Sequence, residues 1–233
     1  MALTVLEIGK EVALKIGISQ PTAVFGSTNR EDVELLRAIK DAALDLAQIH
    51  EWQLLRKIAT ITGDGSTLTH SLPSDFLHVM ADVQMYTSEF QTALTFVENP
   101  DDWLRYDVQS YDFVVNVWTI YQDLIHTKPA LGSAITGKYW YMSDLLWLDT
   151  DATTTKNAIA ADDDTFRLDD DALILGAAYK YRQNKGQPYA EEMADYEKRK
   201  AVLIGKEPKK VYRSKPRIGR GVKLSYPEAV SDA

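Results

Sequence analysis

Apolar residues recur at helical spacing at both ends of this chain and alternate with polar ones in its middle. Thr4-Val5-Leu6-Glu7 has the form of a capping box, in which the threonine hydroxyl and the glutamate satisfy each other's backbone amides. Val5, Ile8, Val12 and Ile16 follow on one face, and Gly17 suits a left-handed helix stop. Pro21 and Gly26 bracket a loop. A second capping box is expected at Thr28-Asn29-Arg30-Glu31, opening a helix from about Asn29 to His50. Its stripe is Leu35, Ile39, Ala42, Leu46 and Ile49, with most charged residues off it, so it must bury that face against other helices.

From Trp52 the period shortens to two. Arg56 to Thr62 alternates and is rich in β-branched residues, Gly63 to Ser66 reads as a turn, and Thr67 to Leu72 as a returning strand, which together predict a hairpin. Pro73 forces a bend in Leu72-Pro73-Ser74-Asp75-Phe76. Leu77 to Tyr86 reads as one strand. Asn99-Pro100-Asp101-Asp102 opens a short helix to about Val108, carrying Trp103. Phe113 to Tyr121, Asp123 to Thr127 and Ile135 to Met142 are β-like, making about six strands in all.

Helical spacing then returns. Asp169-Asp170-Asp171 caps a helix through Leu173, Ile174, Ala177, Ala178 and Tyr181, closed by Gly186. Pro188 stands near the start of a last helix, with Met193, Tyr196, Val202 and Leu203 on its buried side and Gly205 at its end. The expected class is α+β: a four-helix bundle with an inserted β-rich, sandwich- or barrel-like unit and an extended basic C-terminal arm. Its parts are residues 1–51 (first helix pair), 52–150 (β-rich unit), 151–205 (second helix pair) and 206–233 (arm).

Charge sharpens that division. The whole chain has 26 Lys+Arg and 34 Asp+Glu, a net −8. Lys206, Lys209, Lys210, Arg213, Lys215, Arg217, Arg220 and Lys223 stand against a single acid, Glu207, so this stretch carries +7 and the remainder −15. Such asymmetry marks a tail that binds something negative, although like-charge blocks are also often simply solvated. Pro208, Pro216, Gly219, Gly221 and Pro227 favour an extended arm. The sequence has no Cys, which removes disulfides, thiolate metal sites and cysteine nucleophiles. The first residues lack a basic-then-apolar signal pattern, and no apolar run is long enough to span a bilayer, which predicts a soluble, cytosol-made chain.

Candidate chemistry is thin. Gly132 to Lys138 fits G-x-x-x-x-G-K, but a phosphate loop needs a helix and a Ser or Thr next, whereas Tyr139-Trp140-Tyr141 follows as a strand. Asp149, Asp151, Asp162, Asp163, Asp164 and Asp169 to Asp171 lack the alternating ligands, glycine and closing glutamate of a calcium loop. His50, His70, His78 and His126 show no metal-binding spacing, although a cross-strand pair of His70 and His78 is open. There is no nucleophile elbow. The expectation is no catalytic residue, no metal and no cofactor. Lys and Arg of the arm suit phosphates, and Tyr212 and Tyr226 suit base stacking, but an acidic body repels DNA and an extended arm fits equally well into an acidic protein groove. Trp103, Trp118, Trp140 and Trp147 read as core, with some kept for protein contacts.

Taken in order, several segments resemble the head-to-tail connector (adaptor) proteins of tailed bacteriophages, of the tail tubular protein A type. The segments are the helix end Ala43 to Trp52 leading through Gln53-Leu54-Leu55-Arg56 into strands, the Leu72-Pro73-Ser74-Asp75-Phe76 bend, Tyr139-Trp140-Tyr141 after Pro129 to Gly132, Asp149-Thr150-Asp151, Leu173 to Ala178, and Lys185-Gly186-Gln187-Pro188-Tyr189. The likeness spans roughly residues 30 to 200.

The resemblance implies a non-enzymatic virion protein at the neck between head and tail, assembled in the host cytoplasm. It implies a homo-oligomeric ring, usually of twelve copies, between the portal protein and a tail tube, nozzle or terminator protein. Phage DNA would pass through the lumen without sequence-specific binding, helped by an acidic wall, and no membrane is involved. Terminal arms in such rings often reach a neighbour or the portal. The residues expected to do so here are Lys206, Lys209, Lys210, Tyr212, Arg213, Lys215, Arg217, Arg220 and Lys223. Another neck ring, such as a tail terminator or stopper, and a nucleic-acid-binding module using the arm are the alternatives.

Overall fold

A computed structural model describes residues 2–88, 93–108 and 116–207. The first helix, α1 (Val5–Ile16), starts on the expected capping box of Thr4 and Glu7 and stops at Gly17 with φ of 79°. Helix α2 spans Arg30–Ile49, but its cap is Asn29, whose side chain accepts from the Glu31 amide, not Thr28. Of the predicted stripe, Leu35, Ile39, Ala42 and Leu46 are buried, whereas Ile49 in the last turn is exposed. The Trp52 indole turns back and donates to the Leu46 carbonyl at 2.6 Å, satisfying one of the acceptors left at a helix C-terminus.

After a short 3₁₀ turn at Gln53–Leu55 come β1 (Arg56–Thr62), β2 (Thr69–Ser71), β3 (Phe76–Val79), β4 (Gln84–Thr87), β5 (Leu94–Phe96), α3 (Pro100–Val108), β6 (Val117–Tyr121), β7 (Leu124–Lys128) and β8 (Thr136–Ser143). They form one sheet in the order β1-β8-β4-β5-β6-β7-β2, with β3 also on β8. The predicted hairpin does not form. β1 pairs antiparallel with β8, and β2 pairs antiparallel with β7, so the two consecutive strands become the two ends of a sheet that curls almost closed. Local alternation marked both strands correctly; the partners come from sequence more than 50 residues away, which no local pattern carries. The single strand expected over Leu77 to Tyr86 is two, β3 and β4, separated by a turn in which Asp82 has φ of 55°. β5, β6's parallel neighbour, was not foreseen. The Phe113 to Val115 part of the next predicted strand lies outside the described residues. Trp118 fills the interior, its ring centroid 4.8 Å from Phe96 and 4.9 Å from Tyr139.

A second sheet, also missed by the sequence reading, follows as β9 (Trp147–Leu148), β10 (Thr155–Lys156) and β11 (Thr165–Phe166), in the order β10-β9-β11. Each strand has two residues, too short to show a period. Thr4 bridges to Thr165, and the amides of Val5 and Leu6 donate to the carbonyls of Asp164 and Asp162 at 2.8 and 3.1 Å, so the small sheet ties the start of α1 to the second half of the chain.

Helix α4 (Asp170–Asn184) is capped by Asp169 as expected, and the chain turns at Gly186 with φ of 66° just past its C-cap, Lys185. It is the central helix, packing against α1, α2 and α5 (Ala190–Lys206). The arrangement is therefore three helices around one, coarser than the predicted four-helix bundle. Gly176 on α4 allows the closest approach: an added Cβ would stand 3.0 Å from the Tyr196 ring of α5 and 3.2 Å from Ala42 of α2. On α5 Tyr196 is buried, but Met193 and Val202 are 42% and 46% exposed, against expectation. The helix also runs through Gly205 to Lys206, since a glycine weakens a helix without having to end it. One continuous cluster of buried residues runs from Val5 through Leu46, Trp52, Trp118 and Trp147 to Tyr196.

Candidate functional site

The bend at Leu72 to Phe76 is a structural hub. The Phe76 amide closes it on the Pro73 carbonyl at 3.1 Å, which aims the Asp75 carboxylate into the sheet. There it accepts from Lys57 Nζ of β1 at 2.6 Å, and from Tyr141 Oη and Ser143 Oγ of β8 at 2.7 and 3.0 Å. Burial pushes the Asp75 pKa up, but these three donors outweigh it and hold the group below its ordinary value. Burial, and then the hydrogen bond to this carboxylate, pushes the Tyr141 phenol upward. The lysine is therefore paired and the tyrosine is a donor, which makes this a clamp of the bend rather than an acid–base pair. Sequence reading flagged the bend but not its partners, which lie 18 to 68 residues away.

The acidic stretch is used in the same way. Asp162 Oδ1 accepts from the amides of Val24 and Phe25 at 3.0 and 2.8 Å. Asp164, fully buried, accepts from Lys156 Nζ at 2.8 Å and from the Ala160 and Ala161 amides at 2.6 and 3.0 Å. Asp151 accepts from the Thr153 and Thr154 amides, and Asp149 from Lys156 at 3.1 Å. Asp169 is held bidentately by Arg199 at 2.9 and 2.7 Å. Asp170 differs: it accepts from the Leu3 amide at 3.0 Å, but burial and the neighbouring acids Asp169 and Asp171 push its pKa up. These carboxylates fasten loops and helix starts; Asp149 and Asp164 converge on the Lys156 ammonium, and no three acidic or histidine side chains among the described residues are grouped as metal ligands.

The Gly132 to Lys138 segment goes from a turn, with Ala134 at φ of 63°, directly into β8, without the helix a phosphate loop requires. Its role is to lock onto the turn after β1. The Gly63 amide donates to the Ile135 carbonyl at 2.8 Å and the Ala134 amide to the Gly63 carbonyl at 3.0 Å. His70 is on β2 opposite Ile125 and His78 is on β3 opposite Met142, so the two are not cross-strand partners. His126 stacks on Tyr121 with ring centroids 3.6 Å apart, and His50 meets Trp52 edge-on at 5.1 Å.

Of the residues proposed for partner binding, Lys206 is the last residue of α5. Lys209, Lys210, Tyr212, Arg213, Lys215, Arg217, Arg220 and Lys223 lie outside the described residues. A surface not predicted from sequence is the outer face of β1, β8 and β4. Ile58 and Trp140 stand opposite each other in register and are 53% and 45% exposed, and Tyr86, opposite Lys138, is 62% exposed. Trp103, Trp118 and Trp147 are core, as expected of single tryptophans, so Trp140 is the one among the predicted four that offers an aromatic anchor. Outward positions on β1 alternate as Ile58, Thr60 and Thr62; the alternation was legible, but which face pointed out was not.

No helix among the described residues is long and apolar enough to cross a membrane. No curated protein matches the chain. The family model for the SU10 adaptor protein matches residues 3–217, which takes in the helices, both sheets and the first part of the arm. With nearly the whole length matched, and with the adaptor-like segments each found in a built structural role, the chain belongs to the SU10 adaptor protein family, whose members are phage structural adaptors.

Proposed function

We propose that this chain forms an oligomeric adaptor ring, of about twelve copies by analogy with connector rings, between the portal and the tail of a phage particle. It extends the DNA channel and offers a docking surface to a tail tube, nozzle or terminator protein. The observation that carries the reading is the family match over residues 3–217. The charge division supports it: a −15 body suits a channel wall that passing DNA does not adhere to, and a +7 arm suits an acidic surface on the portal or on a neighbouring subunit. In this reading residues 1–51 and 151–205 build the helical part, 52–150 the β-rich part, and 206–233 the arm. Asp75, Asp162, Asp164 and Asp169 of the body fasten the bend, loops and a helix start, which fits a structural role in the virion neck.

The test is a chain ending at Gly205. It should fold with unchanged helix content yet fail to bind isolated portals in a pull-down, and particles lacking the protein should show an empty neck position in electron micrographs. Normal portal assembly by the truncated chain would sink the arm's assignment. The arm's basic residues and Tyr212 also favour a second reading, DNA binding. A titration decides between them, because phosphate neutralisation gives a steep salt slope on duplex DNA.

A further inference from the structure

The large sheet ends in two edges that face the same space. Among the described residues, β1 is paired only with β8 and β2 only with β7, and the two make no ladder with each other. Thr60, Ile61 and Thr62 of β1 and Thr69, His70 and Ser71 of β2 line a cavity of about 390 Å³ between them. Each edge presents amides and carbonyls with no sheet partner there, the situation that invites strand addition. The inward residues are Ile61, buried, and His70, whose Nε2 is buried and without a hydrogen-bond partner among the described residues. The outward ones, Thr60, Thr62, Thr69 and Ser71, are polar.

The occupant such a seam selects is a short extended segment, apolar on alternate positions and able to offer an inward hydroxyl. The chain after Glu207 contains one. Val222-Lys223-Leu224-Ser225-Tyr226 alternates with period two and is bounded by Gly221 and Pro227. Val222, Leu224 and Tyr226 would share one face, with Lys223 and Ser225 on the other. The tyrosine hydroxyl is the kind of group that His70 Nε2 lacks. The 14 residues from Pro208 to Gly221 span up to about 45 Å when extended, which sets the reach of the segment from the end of α5. A tether of that length gives the chain's own segment a millimolar effective concentration, well above that of a second copy in dilute solution.

We propose that residues 222–226 add as a strand between β1 and β2 of their own chain and close the large sheet. The basic stretch from Lys209 to Arg220 is then tethered at both ends, by α5 and by the added strand. The proposal stands apart from the family reading, because residues 218–233 lie beyond the family match. It also separates from the arm's docking role, because a chain ending at Gly221 loses the strand while keeping seven of the eight basic residues.

Hydrogen–deuterium exchange on the full chain and on the chain ending at Gly221 tests it. Amides of residues 60–62 and 69–71 should exchange at least about tenfold faster in the shorter chain, with α4 unchanged. The double substitution Val222→Asp and Leu224→Asp in the full chain should do the same. Because the chain has no Cys, Thr60→Cys combined with Ser225→Cys gives an unambiguous bismaleimide cross-link, expected within monomers at every protein concentration. Equal exchange in the two chains would overturn the proposal. So would cross-links that form only between chains, or none at all. If α4 exchange rises together with that of the seam, the cross-link decides.

Discussion

At the scale of single residues, burial and hydrogen bonding pull the carboxylates of Asp75 and Asp170 in opposite directions. Asp75 is the only acceptor seen for Lys57, Tyr141 and Ser143 among the described residues. Asp75→Asn removes the charge that strengthens these bonds, and should cost about 2 kcal/mol at neutral pH in denaturant unfolding. Its folded pKa is depressed, so its contribution is present above the unfolded value, near 3.8, and is lost as pH falls through the folded value. The gap between wild type and variant should therefore close in acid. Asp170 has the opposite sign. Its raised folded pKa means that its ionisation opposes folding once the pH rises above the ordinary 3.8. Asp170→Asn should unfold at a higher temperature than wild type at pH 7, with the advantage disappearing below about pH 3.8. A lower melting temperature at pH 7 would show that the negative charge at the helix start outweighs its burial.

Between elements, two glycines set how closely segments approach, with different tolerance. A Cβ on Gly63 would stand 2.5 Å from the Gly132 carbonyl oxygen, a backbone atom held by the turn's own hydrogen bonds. Gly63→Ala should lose about 2 kcal/mol or more, read as a lowered melting temperature, because backbone cannot yield without breaking that lock. A Cβ on Gly176 meets a Tyr196 ring carbon at 3.0 Å and Ala42 at 3.2 Å. Gly176→Ala gains up to about 1 kcal/mol of helix propensity against that tight contact, so its effect should be the smaller of the two. The same comparison shows why α4 is central. Its small residues Ala172, Gly176, Ala177 and Ala178 are all buried, which lets α1, α2 and α5 pack on it from different sides.

For the whole molecule, the division of charge governs what the arm can do. Attraction between a +7 segment and an acidic partner is screened over a Debye length of about 8 Å at physiological salt. Portal binding by the full chain should weaken markedly between about 50 and 500 mM salt, while the fold, held by the continuous core from Val5 to Tyr196, should not respond. A chain ending at Gly221 should still bind the portal, whereas one ending at Gly205 should not. Salt-independent binding would point instead to the exposed Ile58, Tyr86 and Trp140 surface as the contact, testable by Trp140→Ser with Ile58→Ser, which should leave the melting temperature nearly unchanged.

The amino-acid sequence by itself determined the local elements with strong periodicity: α1 with its capping box, α2 apart from its capping residue, the extent of β1, α3 from Pro100, and the Asp169 cap of α4. These follow from side chains within a turn or two of one another, where spacing and capping chemistry act. It also determined the acidic body and basic arm, since net charge needs no geometry. Tertiary structure alone decided that β1 and β2 part to opposite ends of a sheet, that Asp75 gathers donors from β1 and β8, and that Asp162 and Asp164 fasten loops. Each of these depends on pairing between segments tens of residues apart, where the choice of partner rests on the burial of the whole and leaves no mark in any local window.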